Sequence, residues 1–240
     1  MSQFDAHVMR DYASKDKEAA VIERTTGKDA PKKGNLLSEA GTYMPYQKDK
    51  LFWCMYAILE GVAACEAARQ KSFKTEMAAK FALIPTLREN VEAIVGAGLK
   101  LAEVEVDLAS NRSITLLSFR ALCAAKGIPV VYNDGRVFAR CGPPEEPRFI
   151  ISTTPKGEML ILKDVKERVE HMTNTLYEIT DFKKPIMAIS RYTAPEVQDI
   201  CRRLELPLVD ATGKKLAKRA LYDMAEAQIS MRITPTAAGK

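Results

Sequence analysis

The sequence predicts an α+β fold, mainly α: a helical core with a small antiparallel β-hairpin sheet, an extended N-terminal arm and a C-terminal helix–extended–helix module. Three observations carry the prediction. Apolar residues recur at three- and four-residue spacing from Tyr46 to about Lys126. The pattern then changes to alternation from Pro129 to Leu162, around turn-forming residues. Before residue 45, apolar residues come only in ones and twos among Lys, Asp, Thr and Gly. The division this implies is an arm over 1–44, a core over 45–182 with hairpins near 128–162, a basic helical module over 183–230 and a tail over 231–240.

The chain has 240 residues, 47% hydrophobic and 28% charged, a balance that excludes wholesale disorder. Its longest apolar run, Leu51 to Leu59, is far shorter than the roughly 20 residues that span a bilayer. The opening MSQFDAHVMR lacks the apolar stretch of a signal peptide, so neither secretion nor a membrane span is expected. The arm includes a turn-rich linker, Thr25 to Gly34. It offers little apolar surface against an ordering entropy of roughly 1–2 kcal/mol per residue.

The core begins with QKDKLFWCMYAILEG, Gln47 to Gly61. Phe52, Met55, Tyr56, Leu59, Val62 and Ala63 keep helical spacing, and the helix is expected to pass Gly61 and reach Arg69. A second helix follows Ser72, with Phe73, Met77, Phe81 and Ile84 as its inward face and Pro85 as a kink or break. Gly96 and Gly98 close the segment Leu87–Val95. Another helix runs from Ser113 to Gly127, with Leu116, Leu117, Ala121 and Leu122 inward. The first hairpin is expected to turn at Asp134-Gly135, the second at Thr154–Gly157. Lys163 to Thr180 returns to helix, with Val165, Val169, Met172, Leu176 and Ile179 as its stripe.

Catalytic chemistry is not evident. His7 falls in the arm and His171 on a helix without a nucleophile motif beside it. Gly27-Lys28 and Gly213-Lys214 lack the upstream glycine of a nucleotide-binding loop. Glu103, Glu105 and Asp107 read as a solvated edge. The five cysteines, at 54, 65, 123, 141 and 201, show no metal-ligand spacing and fit a reducing compartment. No enzyme activity, cofactor or metal is expected.

Charge is concentrated near the C-terminus. Residues 183–219 hold nine basic against four acidic residues, and the rest of the chain is close to balance. Thr193-Ala-Pro-Glu196 fits a capping box, and Val197, Ile200, Cys201 and Leu204 follow as one apolar stripe. After Leu206-Pro207 and a turn at Asp210–Gly213, a second helix carries Leu216, Ala220, Leu221 and Met224. Arg202, Arg203, Lys214, Lys215, Lys218 and Arg219 decorate the connection and the flanking helix ends.

This layout resembles the SAP-type helix–extended–helix module, a small DNA-binding fold, through Val197, Ile200, Cys201, Leu204, Leu206-Pro207, Gly213-Lys214-Lys215 and Leu221. The resemblance implies backbone phosphate contacts at Gly213, Lys214 and Lys215. The linker Val209–Thr212 is longer than that family's. A solvated basic face, or one that docks an acidic protein, fits the same residues.

The core resembles an uncharacterised protein family of large eukaryotic DNA viruses, the chlorella-virus and mimivirus group. Lys48-Asp49-Lys50-Leu51-Phe52-Trp53-Cys54 carries the likeness, with Asp107–Asn111 and Ser118–Cys123 as its second part. The resemblance implies a virion protein assembled in the host cytoplasm: a minor capsid component contacting the major capsid protein and neighbouring minor capsid proteins. An arm and a basic terminal module agree with that role. The alternative is a DNA-binding protein of packaging, replication or late transcription.

Overall fold

The computed structural model describes residues 41–182 and 184–233, with side chains to residue 231. The predicted arm and tail lie outside the described residues, apart from the arm's last four positions and the tail's first three. The described chain is α+β and mainly α, as the sequence predicts. Its first elements are β1 (Thr42–Tyr43), α1 (Lys50–Glu60), α2 (Val62–Ala67), α3 (Ser72–Glu89), α4 (Val91–Gly96), α5 (Leu101–Ala109) and α6 (Leu116–Lys126). Strands β2 (Val130–Asn133), β3 (Val137–Cys141), β4 (Phe149–Thr154) and β5 (Gly157–Ile161) come next. The chain continues through α7 (Val165–Thr175), β6 (Tyr177–Glu178), α8 (Ala194–Arg203) and α9 (Lys218–Ile233).

Helix α1 is the core's anchor. Leu51, Phe52, Trp53, Cys54 and Met55 are all buried, and Trp53 packs at 5.1 Å from the Tyr56 ring. Asp49 starts the helix by accepting from the Phe52 amide at 3.1 Å. The helix does not pass Gly61. That glycine adopts φ +88°, a conformation costly for other residues, and α2 begins after it.

Helix α3 departs from the predicted face. Its buried residues are Lys80, Leu83 and Leu87, whereas Phe73 is 67% and Phe81 51% exposed. At 100° per residue the buried face is turned by about a quarter-turn from the predicted stripe. The cause is electrostatic: Lys80 Nζ lies 2.6 Å from Asp49 Oδ2 and 2.8 Å from Glu76 Oε1, and it donates to the Arg112 carbonyl at 3.0 Å. Three donors meet three acceptors, which orients the helix more strongly than its phenylalanines do. Pro85 does not split α3, which continues to Glu89.

In α6 the cap is Thr115 rather than Ser113, and Leu117 points outward at 41% exposure. Gly127 ends the helix at φ +62°, in the left-handed conformation that favours glycine there.

Both predicted hairpins form, but the sheet is mixed rather than antiparallel. Its order is β1-β5-β4-β2-β3-β6, and both β2–β4 and β3–β6 are parallel. In the first hairpin the Asp134 side chain accepts from the Arg136 and Val137 amides, so Gly135-Arg136, one position later than expected, forms the tip. Helix α7 ends at Thr175, short of Thr180, because the open edge of β3 recruits residues 177–179. Tyr177 N donates to Arg136 O at 3.1 Å and Ile179 N to Phe138 O at 2.8 Å.

Among the described residues the buried ones form three clusters. The largest joins α1 and α3–α6 to the sheet. A small one lies between the other sheet face and α7. The third joins Val137 and Ala139 of β3 to Val197, Ile200, Cys201 and Leu204 of α8 and to Leu221, Tyr222, Ala225 and Ile229 of α9. The C-terminal helices thus share a core with the sheet edge.

Candidate nucleic-acid interface

The capping box at the start of α8 is present. Glu196 N donates to Thr193 Oγ1, and Thr193 N donates to Glu196 Oε2 at 2.6 Å. The Thr193 amide and hydroxyl hold the Glu196 carboxyl below its usual range. Val197, Ile200, Cys201 and Leu204 are buried as the stripe requires. All five cysteines are buried free thiols. Burial pushes the Cys141 thiol up to about 12, which fits a packing role rather than a nucleophilic one.

The connection from α8 to α9 is extended and then hairpin-like. Leu216 N donates to Leu208 O at 3.0 Å, and Val209 bridges Lys215 in antiparallel sense. Asp210 organises the turn by accepting from the Thr212 hydroxyl at 2.6 Å and from the amides of Thr212 and Lys214. Those bonds depress the Asp210 carboxyl, the Thr212 hydroxyl most. Gly213 completes the turn at φ +84°. Helix α9 starts at Lys218 rather than directly after the turn, so Gly213, Lys214 and Lys215 lie on the connection. Cys201 Sγ meets the Leu221 carbonyl at 3.4 Å, and Lys218 acts electrostatically on Glu196. The two helices therefore pack against each other in one core.

The six predicted cations divide by what engages them. Arg203 is committed to the fold: it pairs with Asp199 at 3.0 Å and donates to the Thr173 and Leu176 carbonyls, tying α8 to the end of α7. Arg219 pairs with Asp223 at 2.9 Å, and Arg202 lies 3.9 Å from Asp199. Lys214, Lys215 and Lys218 form no ion pair among the described residues. Lys214 and Lys215 are exposed, and Lys218 is half-buried. The positive charge least engaged by the fold is thus Lys214 and Lys215 on the connection, with Lys218 beside them at the start of α9.

His171 is exposed on α7. No group of three or more metal-ligating side chains occurs among the described residues, and no described helix is long and apolar enough to cross a membrane.

A concave feature outside the C-terminal module has no counterpart in the sequence pattern. A cleft of about 1070 Å³ opens between the loop after α4, helix α5, the start of α6 and residues 180–182. Asp107, expected on a solvated edge, instead closes one wall by accepting from Thr115 N at 2.8 Å and from the Thr115 and Ser118 hydroxyls. Also in the lining, the Arg120 guanidinium stacks 3.9 Å from the Phe182 ring centroid. No local sequence signal links those two residues.

No family model, curated protein or solved structure matches the chain.

Proposed function

We propose that the protein binds the phosphate backbone of duplex nucleic acid through its C-terminal helix–extended–helix module. The observation that carries this reading is the pair Lys214 and Lys215 at the Asp210 turn, exposed and with no ion pair among the described residues, with Lys218 following at the start of α9. Cations left to solvent release counterions when they meet phosphate, whereas Arg203, engaged by the fold, contributes shape rather than affinity. The SAP-type resemblance of the same segment points the same way. The test is duplex DNA binding by the full chain across a salt series. Affinity should fall steeply with salt and be lost in the double variant Lys214→Glu, Lys215→Glu; salt-insensitive binding, or none, refutes the reading.

A second reading, a minor capsid component contacting the major capsid protein and its neighbouring minor capsid proteins, draws on a different surface. Phe73 and Phe81 are large apolar side chains exposed on α3, of the kind that anchors protein–protein contacts. In that reading the chain is present in purified particles at tens to hundreds of copies. Mass spectrometry of such particles that finds none of it removes the reading.

A further inference from the structure

Arg120 sets the chemistry of the cleft. It is partly buried beneath Phe182, forms no ion pair within 4.0 Å and donates no hydrogen bond among the described residues. Burial pulls its guanidinium below the usual range, against the opposing influence of Cys141, Asp181 and Cys123. A partly desolvated guanidinium that donates to no protein group among the described residues can offer a planar anion two donors at once.

The other charges around the cleft decide how much anion it can take. Lys100 is spent on Glu103 at 2.7 Å, and Asp107 is spent on the start of α6. Asp181 lies in the wall as a further negative charge. Arg112 also lines the cleft without an ion pair among the described residues but is exposed; with Arg120 as the partly buried cation and Asp107 and Asp181 in the wall, the site suits a single negative charge and disfavours a dianion. Leu99, Val104, Val106 and Leu117 supply an apolar wall, and the volume suits a ligand of drug-like size.

We propose that this cleft binds a small amphipathic monocarboxylate, its carboxylate forked on Arg120 and its apolar body lying along Leu99, Val106 and Leu117. The geometry is that of the planar bidentate pair that arginine makes and lysine does not. The site is independent of the C-terminal lysines and of the nucleic-acid reading.

The test is calorimetric titration of the full chain with 4-phenylbutyrate, decanoate and the neutral 4-phenylbutyramide. At least one carboxylate should bind, and the amide should bind at least tenfold more weakly than 4-phenylbutyrate or not at all. Arg120→Gln should weaken carboxylate binding at least tenfold while thermal unfolding stays cooperative, and Arg120→Lys should not restore it. Val106→Trp, at a position 72% exposed, fills the cleft without disturbing the core and should also weaken binding; it decides the matter if Arg120→Gln fails to fold. The Lys214→Glu, Lys215→Glu double variant should bind the carboxylate as the parent chain does. The proposal is overturned if neither carboxylate binds, if the amide binds equally, if Val106→Trp leaves affinity unchanged, or if the C-terminal double variant abolishes binding.

Discussion

Lys80 and the lysines of the α8–α9 connection carry the same ammonium group into opposite surroundings. Lys80 is fully buried, with two carboxylates and a carbonyl within 3.0 Å and the Phe52 ring 5.1 Å away. Lys214 and Lys215 stand in water with no partner carboxylate among the described residues. The first arrangement makes the charge part of the fold. Asp49 uses one oxygen to cap α1 and the other to hold Lys80 and the Ile114 amide, while Glu76 receives both Lys80 and the Trp53 indole. Burial pushes the Asp49 carboxyl above its usual range, with Lys80 and the two amides pulling it back. The second arrangement leaves the charge available to a partner. Net charge alone therefore says little about binding; what matters is which cations the fold has already engaged.

The largest expected effect tests the buried side of this contrast. Lys80→Met should destabilise the chain by about 3–5 kcal/mol, because Asp49 and Glu76 would keep buried charge without a counter-ion. Urea unfolding monitored by Trp53 fluorescence reads it directly. A loss below about 1 kcal/mol would mean that the network is solvated and that the contrast with the exposed lysines is false.

A smaller effect belongs to the module that presents the exposed lysines. Thr193→Ala removes the hydroxyl that caps α8 and should cost about 1 kcal/mol. The same denaturant series measures it. The double variant Lys214→Glu, Lys215→Glu should change stability by no more than about 0.5 kcal/mol while abolishing DNA binding. If it unfolds the module instead, these lysines are structural like Lys80, and the comparison collapses.

The same contrast explains what could be read from sequence. Helix α8 is legible because its cap, stripe and basic end all lie within a dozen residues: Thr193, Glu196, Val197, Ile200, Cys201 and Leu204. Helix α3 is not, because Asp49, distant in sequence, decides which side faces inward, and apolar periodicity does not register a buried ion pair. Both hairpins can be anticipated from their turns, but the parallel pairing of Val130–Asn133 with Phe149–Ser152 cannot, since no local residue encodes it. The short pairing of Tyr177 and Glu178 with β3 is likewise set by the open strand edge. The basic cluster is visible as composition, but only the structure separates Arg203, used by α7, from Lys214 and Lys215. The cleft is invisible in sequence because Arg120 and Phe182 meet only after folding.

The smallest effect concerns acid. Glu196 and Asp210 are both held below their usual values, by Thr193 in the first case and by Thr212, Lys214 and Gly213 in the second. A carboxylate depressed in the folded state contributes stability that is fully present above its ordinary value, 4.5 for Glu196 and 3.8 for Asp210. That contribution disappears as pH falls through the lower folded-state value. The module carrying the lysines should therefore lose stability as acid is added, whereas the raised Asp49 carboxyl of the Lys80 network contributes with the opposite sign: it takes up its proton at higher pH, and that uptake in the folded state favours folding as pH falls. Amide hydrogen exchange followed by NMR between pH 6 and about 3 should show the protection of Thr193–Val197 departing from its native level while that of Phe52 and Trp53 holds. In Glu196→Gln, whose side chain does not titrate, the departure at Thr193 should vanish. If Phe52 and Trp53 lose protection first, the buried network is the acid-labile element and the two lysine environments have been ranked the wrong way round.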